Sequence, residues 1–174
     1  TACGREPGRD PYHRHVYRVR VAGGEPELLT PEDADHACVT SPSGRYLLDT
    51  ASTIDTAPVT RLRAADGTLV LEVVAADLTA LHDDGWVPPE RFMVTAADGR
   101  TPLHGVLYKP TDFDPSKRYP VVDAFYPGPQ LIRTPKSFTV DDSAGVDAWP
   151  GPWCAQAIAE LGCIVVNVDG HGTP

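Results

Sequence analysis

The stretch that decides the fold is "AQAIAELGCIVVNVDGHGTP", residues 155–174. Its first part, with "GPWC" before it, places Trp153, Ala157, Ile158 and Leu161 on one face at helical spacing, and Gly162 is a natural C-terminal stop. "CIVVNV", residues 163–168, then runs nearly unbroken in apolar residues for the length of one strand. Strands covered on both faces read this way, and they belong to parallel sheets. Upstream, "YPVVDAFY", residues 119–126, is another mostly apolar strand, ending at Pro127-Gly128-Pro129. Strand, helix and strand in that order predict a βαβ unit with a right-handed crossover. The second half therefore reads as the beginning of an α/β domain.

The first half has a different grammar. "HVYRVRV", residues 15–21, alternates with a period near two and stops at Gly23-Gly24. "HACVT" and "RYLLDTAS" flank Ser41-Pro42-Ser43-Gly44, and "PVTRLRA" and "TLVLEV" flank Asp66-Gly67. Both connections are tight-turn chemistry between antiparallel strands. Strands joined only by turns predict an all-β sandwich, barrel or propeller blade. Asp83-Asp84-Gly85 and Pro88-Pro89 interrupt any regular element, so a domain crossing is expected there, with one domain over 1–85 and another over 86–174. "RFMVTAA" and "LHGVLYKP" open the second domain around Asp98-Gly99. "AADG" occurs at 64–67 and again at 96–99; the flanking sequences diverge, so two independent hairpin bends are expected rather than a repeat.

Composition sets limits on function. The 174 residues are 41% hydrophobic and 22% charged, enough apolar material for a core. A net charge of −9 argues against nucleic acid, which needs clustered Lys and Arg. No apolar run approaches the ~18 residues of a membrane span, and the polar start "TACGREPGRD" does not read as a signal peptide. Because the chain starts at Thr1 and stops just after the Asp169–Gly172 turn, it is expected to be an internal piece of a longer protein. Cys3, Cys38, Cys154 and Cys163 show no zinc-like spacing and read as buried free thiols. His13 and His15 could share a strand face, but two ligands do not make a metal site; they read as solvated loop or edge histidines. No metal and no cofactor is expected.

An all-β segment running into an α/β sheet narrows the field. "VTAADGRTPLHGVLYKPTDFDPSKRYPVVDAFYPGPQ" and "AQAIAELGCIVVNVDGHGTP" resemble the entry into the catalytic domain of the prolyl oligopeptidase family of serine peptidases, most closely its dipeptidyl peptidase IV branch. "LLTPEDADHACVTSPSGRYLLDTAST" resembles the last propeller blades before that domain. The resemblance implies a β-propeller capping an α/β-hydrolase domain, a peptide substrate, and a homodimer as one assembly of the parent. It leaves the membrane anchor open, with a periplasmic, secreted or membrane-anchored parent favoured over a cytoplasmic one. The family usually has Arg where this chain has His171, which leaves that residue's role open.

The chemistry is incomplete within the chain. An α/β-hydrolase needs a Ser at G-x-S-x-G, followed by an acid and a His. The serines are Ser41, Ser43, Ser52, Ser116, Ser137 and Ser143, and none has glycines at both −2 and +2. Nucleophile, acid and base are therefore expected beyond Pro174, and the chain alone is expected to be inactive. One catalytic part is implied by the resemblance: Tyr126, which matches a tyrosine whose hydroxyl meets the oxyanion of the tetrahedral intermediate. Pro127, where relatives often carry Gly or Ala, departs from the pattern. Asp123 and Asp141-Asp142 read as hydrogen-bonding or solvated carboxylates, and Trp149 and Trp153 as packing. His36 reads as a turn anchor, and Asp169 as a side chain that fixes the Gly170–Gly172 turn. Alternatives within the same architecture are an acylaminoacyl peptidase and a prolyl endopeptidase. A catalytically dead relative used for binding is the alternative outside enzymes.

Overall fold

The computed structural model describes residues 1–125, 132, 134–138 and 155–173. The readings at Tyr126, Asp141, Asp142, Ser143, Trp149, Trp153 and Cys154 lie outside the described residues. The chain divides into two compact units, one of residues 1–78 with 136–138, the other of 79–135 with 139–174.

The first unit is built on an antiparallel meander: β3 (Asp35–Thr40), β4 (Tyr46–Thr53), β5 (Thr56–Ala64) and β6 (Leu69–Ala75), paired in that order. Before it, β1 (Tyr17–Arg18) pairs with β2 (Glu27–Leu28). The alternation of "HVYRVRV" predicted a longer strand than this. The ladder stops because the Gly23 N–H closes a turn on the Arg20 carbonyl, while Pro26 brings no donor on the other side. Val19 and Val21 are left exposed. The Ser41–Gly44 and Asp66-Gly67 turns fall where the sequence places them.

Few aliphatic side chains fill this unit: Leu29, Ala34, Leu47, Ala51 and Ile54 are buried. The rest of its interior is an ionic network. Asp49, fully buried on β4, accepts from Arg63 Nε at 2.9 Å and from Cys38 Sγ at 3.2 Å, and its Oδ1 lies 2.9 Å from His36 Nδ1. Arg63 also donates from Nη2 to Glu32, and Arg14 pairs with the buried Asp35. Burial by itself would raise the Asp49 carboxyl, but the His36 and Arg63 bonds outweigh it and hold the group down at about 2. The Cys38 thiol is pushed up to about 12, by burial first and then by its bond to Asp49. At the far edge β6 is exposed along its whole length, including Leu69, Val70, Leu71, Val73 and Val74.

The second unit opens with a single-turn helix, α1 (Thr79–Asp83), where the sequence offers only interruptions. Its sheet has the order β7 (Glu90–Thr95), β8 (Pro102–Tyr108), β10 (Ile164–Val168), β9 (Val121–Asp123), with α2 (Ala155–Ala159) between β9 and β10 along the chain. β10 is parallel to β9 and antiparallel to β8, so the sheet is mixed rather than purely parallel. One face of β10 is buried, with Val165 and Asn167 fully covered, while Ile164, Val166 and Val168 are half-buried. The apolar run overstated its burial by one face.

The expected contact face of the helix is also corrected. Ala155 and Ala159 are the buried pair, whereas Ala157 is exposed and Leu161 is 84% exposed. The physical reason lies in the polar partners. Gln156 donates to the Lys109 carbonyl at 2.9 Å, and the Glu160 carboxylate accepts from the Thr111 N–H and hydroxyl. These bonds turn the two small alanines inward, where α2 packs on β8 and β10. Cys163 is buried as expected, its thiol donating to the Ile158 carbonyl, but Cys3 is exposed and Cys38 half-buried.

Both "AADG" copies form the same bend. Gly67 N–H bonds Ala64 O at 2.9 Å and Gly99 N–H bonds Ala96 O at 3.0 Å; Asp66 and Asp98 each accept the N–H two residues on. Both glycines have positive φ, +86° and +70°. A Cβ at Gly67 would stand 2.8 Å from Leu29 O, whereas one at Gly99 would meet nothing within 4 Å. We therefore expect Gly99→Ala to cost about 1 kcal/mol of strain and Gly67→Ala nearer ~3 kcal/mol, read from denaturant unfolding. Equal costs would contradict the packing described at Leu29.

Asp49→Ala would strand the Arg63 charge in the interior and leave His36 Nδ1 without its partner, at a cost of about 3–5 kcal/mol. The sign of the pH dependence follows from the lowered Asp49 value. Its contribution is fully present above the ordinary carboxylate range and is lost as pH falls through about 2. Urea unfolding of wild type and Asp49→Ala should therefore converge as the pH falls toward that value. A gap that stayed constant throughout would refute the role given to Asp49.

Candidate functional site

Parallel strands place their carboxyl ends on one edge of the sheet, where α/β folds gather functional groups. Here that edge is made by β9 and β10. The Ala124 N–H donates to Val166 O at 2.9 Å, extending the pairing past Asp123, which is exposed. Phe125 follows, 65% exposed, and the next residue is Tyr126, outside the described residues. The sequence-predicted catalytic residue is therefore approached to within one residue along the chain.

On the neighbouring strand end, Asp169 is buried and its Oδ1 accepts the Thr134 N–H at 3.2 Å. Thr134 Oγ1 donates to the His104 carbonyl at 3.1 Å, the same carbonyl that accepts the Asp169 N–H. Asp169 was expected to fix the Gly170–Gly172 turn. That turn is closed by Thr173, whose N–H and hydroxyl both reach Gly170 O, while the Asp169 carboxylate holds Thr134 at the sheet end. His171 is exposed, with Nε2 3.6 Å from Asp98 Oδ2. The Thr101 hydroxyl and the backbone N–H groups of Thr101 and Arg100 hold Asp98 at about 2, so an anion faces His171.

Sequence reasoning missed Asn167. Its side chain is fully buried on β10, and neither amide atom has a hydrogen-bond partner among the described residues. The available signal was a single amide inside "IVVNV": a buried amide without partners costs about 1–3 kcal/mol, so it is seldom placed there without a use.

The histidine reading needs correction. His13 and His15 are buried, not solvated, each 2% exposed. His13 Nδ1 lies 3.3 Å from Asp33 Oδ1, and His15 Nδ1 lies 3.1 Å from Thr30 O. The N-terminal segment folds over them instead of leaving them at an edge: Ala2 and His15 exchange backbone bonds, and Arg9 reaches the Pro31 carbonyl. His36 does anchor a turn, its Nε2 lying 3.1 Å from Glu32 O. Glu32, His36 and Asp49 have ligand atoms within 4.8 Å of one another, a spacing that could hold a metal ion. Arg63 already fills that place, its guanidinium bonded to both carboxylates. A fixed cation there fits a structural network better than a metal centre.

Comparison with known proteins bears on both units. The N-terminal region of dipeptidyl peptidase IV (DPP IV) matches residues 4–58. Human dipeptidyl peptidase 8 is 29% identical over 171 residues, covering 94% of this chain and 18% of the relative. A dipeptidyl-aminopeptidase B assigned in Emericella nidulans is 30% identical over 169 residues, covering 94% of this chain and 17% of its own length. The chain thus spans less than a fifth of these curated relatives. Among solved structures, a candidate dipeptidyl aminopeptidase IV from Bacteroides ovatus aligns over 91% of this chain and 21% of its own, with TM-score 0.66 and 29% identity. Porphyromonas gingivalis dipeptidyl peptidase 4 aligns over 92% of this chain and 21% of its own, with TM-score 0.67 and 24% identity, a likeness of fold. These alignments run through the all-β unit and the mixed sheet alike, so the chain is similar to dipeptidyl peptidase IV-like peptidases along nearly its whole length.

Proposed function

We propose that the chain is part of a longer serine peptidase that releases dipeptides from free N-termini through an acyl-enzyme. In this reading residues 1–85 are the last blades of a β-propeller, and residues 86–174 open an α/β-hydrolase domain that continues to the nucleophile. The observation that carries it is the alignment of dipeptidyl peptidases along 94% of the chain. Two features support it further. β6 is apolar and exposed along its length, as a blade strand is when neighbouring sheets do not cover it. And β9, α2 and β10 form a strand–helix–strand unit with the strands parallel, as the start of a hydrolase sheet requires.

The chemistry assigns one step to this chain. A serine hydroxyl, its proton taken by a histidine, attacks the scissile carbonyl carbon. The carbonyl π electrons move onto oxygen, and the oxyanion needs a donor aimed at it in a site that excludes water. We assign that donor to the Tyr126 hydroxyl, because a phenol combines an apolar ring suited to packing with an O–H that can donate. Collapse of the intermediate then expels the amine, protonated by the histidine, and water later releases the dipeptide.

In the full-length enzyme Tyr126→Phe is expected to lower kcat by about 10²–10³-fold, ~2.7–4 kcal/mol, with a small change in substrate binding. Mass spectrometry of the products should show dipeptides lost stepwise from a free N-terminus, and the purified 174-residue chain should show no turnover. Wild-type kcat in Tyr126→Phe would remove that residue from the mechanism. Cleavage confined to internal bonds would overturn the exopeptidase reading.

A further inference from the structure

Two of the buried imidazoles, His15 and His36, have opposite hydrogen-bonding situations. His15 and His36 lie with ring centroids 5.2 Å apart, tilted by 45°. His36 has Nδ1 at 2.9 Å from the Asp49 carboxylate and Nε2 at 3.1 Å from the Glu32 carbonyl. Both partners are acceptors, so both ring nitrogens of His36 are engaged. His15 is the complement. Its Nδ1 faces the Thr30 carbonyl, which assigns the proton there, and its buried Nε2 has no hydrogen-bond partner among the described residues. A proton added at Nε2 would therefore be a buried charge without an acceptor among the described residues.

The charged groups around His15 leave it poorly defended against that proton. From its own segment come Glu6, which favours a charge, and Arg9, which opposes it. From β3 comes His36, which opposes it, with Asp49 on β4 and Arg63 on β5 behind it. The adjacent Arg14 is tied to Asp35. Glu6 is also engaged, accepting the Tyr17 hydroxyl at 2.7 Å. Burial, the largest influence, lowers the His15 value from the ordinary 6.5; the Thr30 bond offsets part of this, and His36 and Arg9 add to the lowering.

What His15 holds is the N-terminal segment. Its backbone exchanges bonds with Ala2 at 2.9 and 3.0 Å, while its neighbours Arg14 and Val16 accept from His36 N–H and Leu29 N–H at 3.0 and 2.8 Å. We propose that His15 and His36 form an acid-released clasp, in which the neutral imidazole of His15 keeps residues 1–18 seated on β2 and β3 and its protonation frees them. The direction follows from linkage. A histidine lowered in the folded state binds its proton more readily when released. The seated state therefore has its full stability above about pH 6.5 and loses it as pH falls.

Hydrogen exchange of the whole chain, corrected for intrinsic rates, tests this between pH 7.5 and 5. Protection of residues 13–18 and 28–31 should fall with pH by up to about tenfold per pH unit, the limit for one proton, while β4 and β5 stay protected. His15→Gln, whose amide can still donate to Thr30 O but does not titrate, should show no such fall. An unchanged acid response in His15→Gln, or a flat response in the wild type, would overturn the clasp. If His15→Gln does not fold, the imidazole resonances of the wild type decide instead. The clasp requires His15 to be neutral with its proton on Nδ1 at pH 7 and to protonate as the segment releases. Protonation at or above the pH of free histidine would refute it.

Discussion

A strand bonded along both edges cannot shift without breaking two ladders at once, and β10 is held in this way between β8 and β9. The rest of the second unit follows from that constraint. A parallel partner on one side needs a crossover, which passes through α2; an antiparallel partner on the other is supplied by the β7–β8 hairpin. Close approach is demanded at Gly105, where a Cβ would stand 2.9 Å from the Asn167 carbonyl and closer still to the Phe92 ring. Fixing β10 also fixes what leaves its carboxyl end. Asp169 arrives beside His104 and Thr134, on the edge from which the chain after β9 departs toward Tyr126.

The first unit solves a different problem. With a handful of small and medium aliphatic residues inside and β6 exposed, it has little apolar burial with which to select one strand register. The Asp49 network selects it instead. One carboxylate on β4 is met by side chains from β3 and β5, so a slip of one residue would turn Asp49 to the opposite face and leave His36 and Arg63 unpaired. Buried charges contribute little net stability compared with aliphatic packing, but they penalise wrong registers heavily. The N-terminal segment uses the same device at its border, where Arg14 and Asp35 pair and two imidazoles stack at an angle.

Local turn chemistry was the most legible part of the sequence. Asp66-Gly67, Asp98-Gly99 and Ser41–Gly44 each state their conformation within four residues, and the strands on either side follow. What depends on a distant partner was not legible. The alternation of residues 15–21 cannot reveal that its partner is two residues long, nor that His13 and His15 lie under a folded-back N-terminus. Helical periodicity in 153–161 favours the larger side chains, yet Ala155 and Ala159 face the sheet because Gln156 and Glu160 are bonded to Lys109 and Thr111. Asn167 escaped notice because an amide in an apolar run reads as noise until its burial is known. Tyr126 was read from resemblance alone, since a tyrosine at a strand end carries no chemical signal of its own.

The account rests on β10 being interior to its sheet, because that is what brings the ends of β9 and β10 together. Amide hydrogen exchange along 164–168 reads this strand residue by residue. Ile164 donates toward β9, and by alternation Val166 does so too, while Val165 and Asn167 face β8. Slow exchange at both alternate sets is the predicted result. Fast exchange at either set would mark β10 as an edge strand and contradict the arrangement on which the site depends.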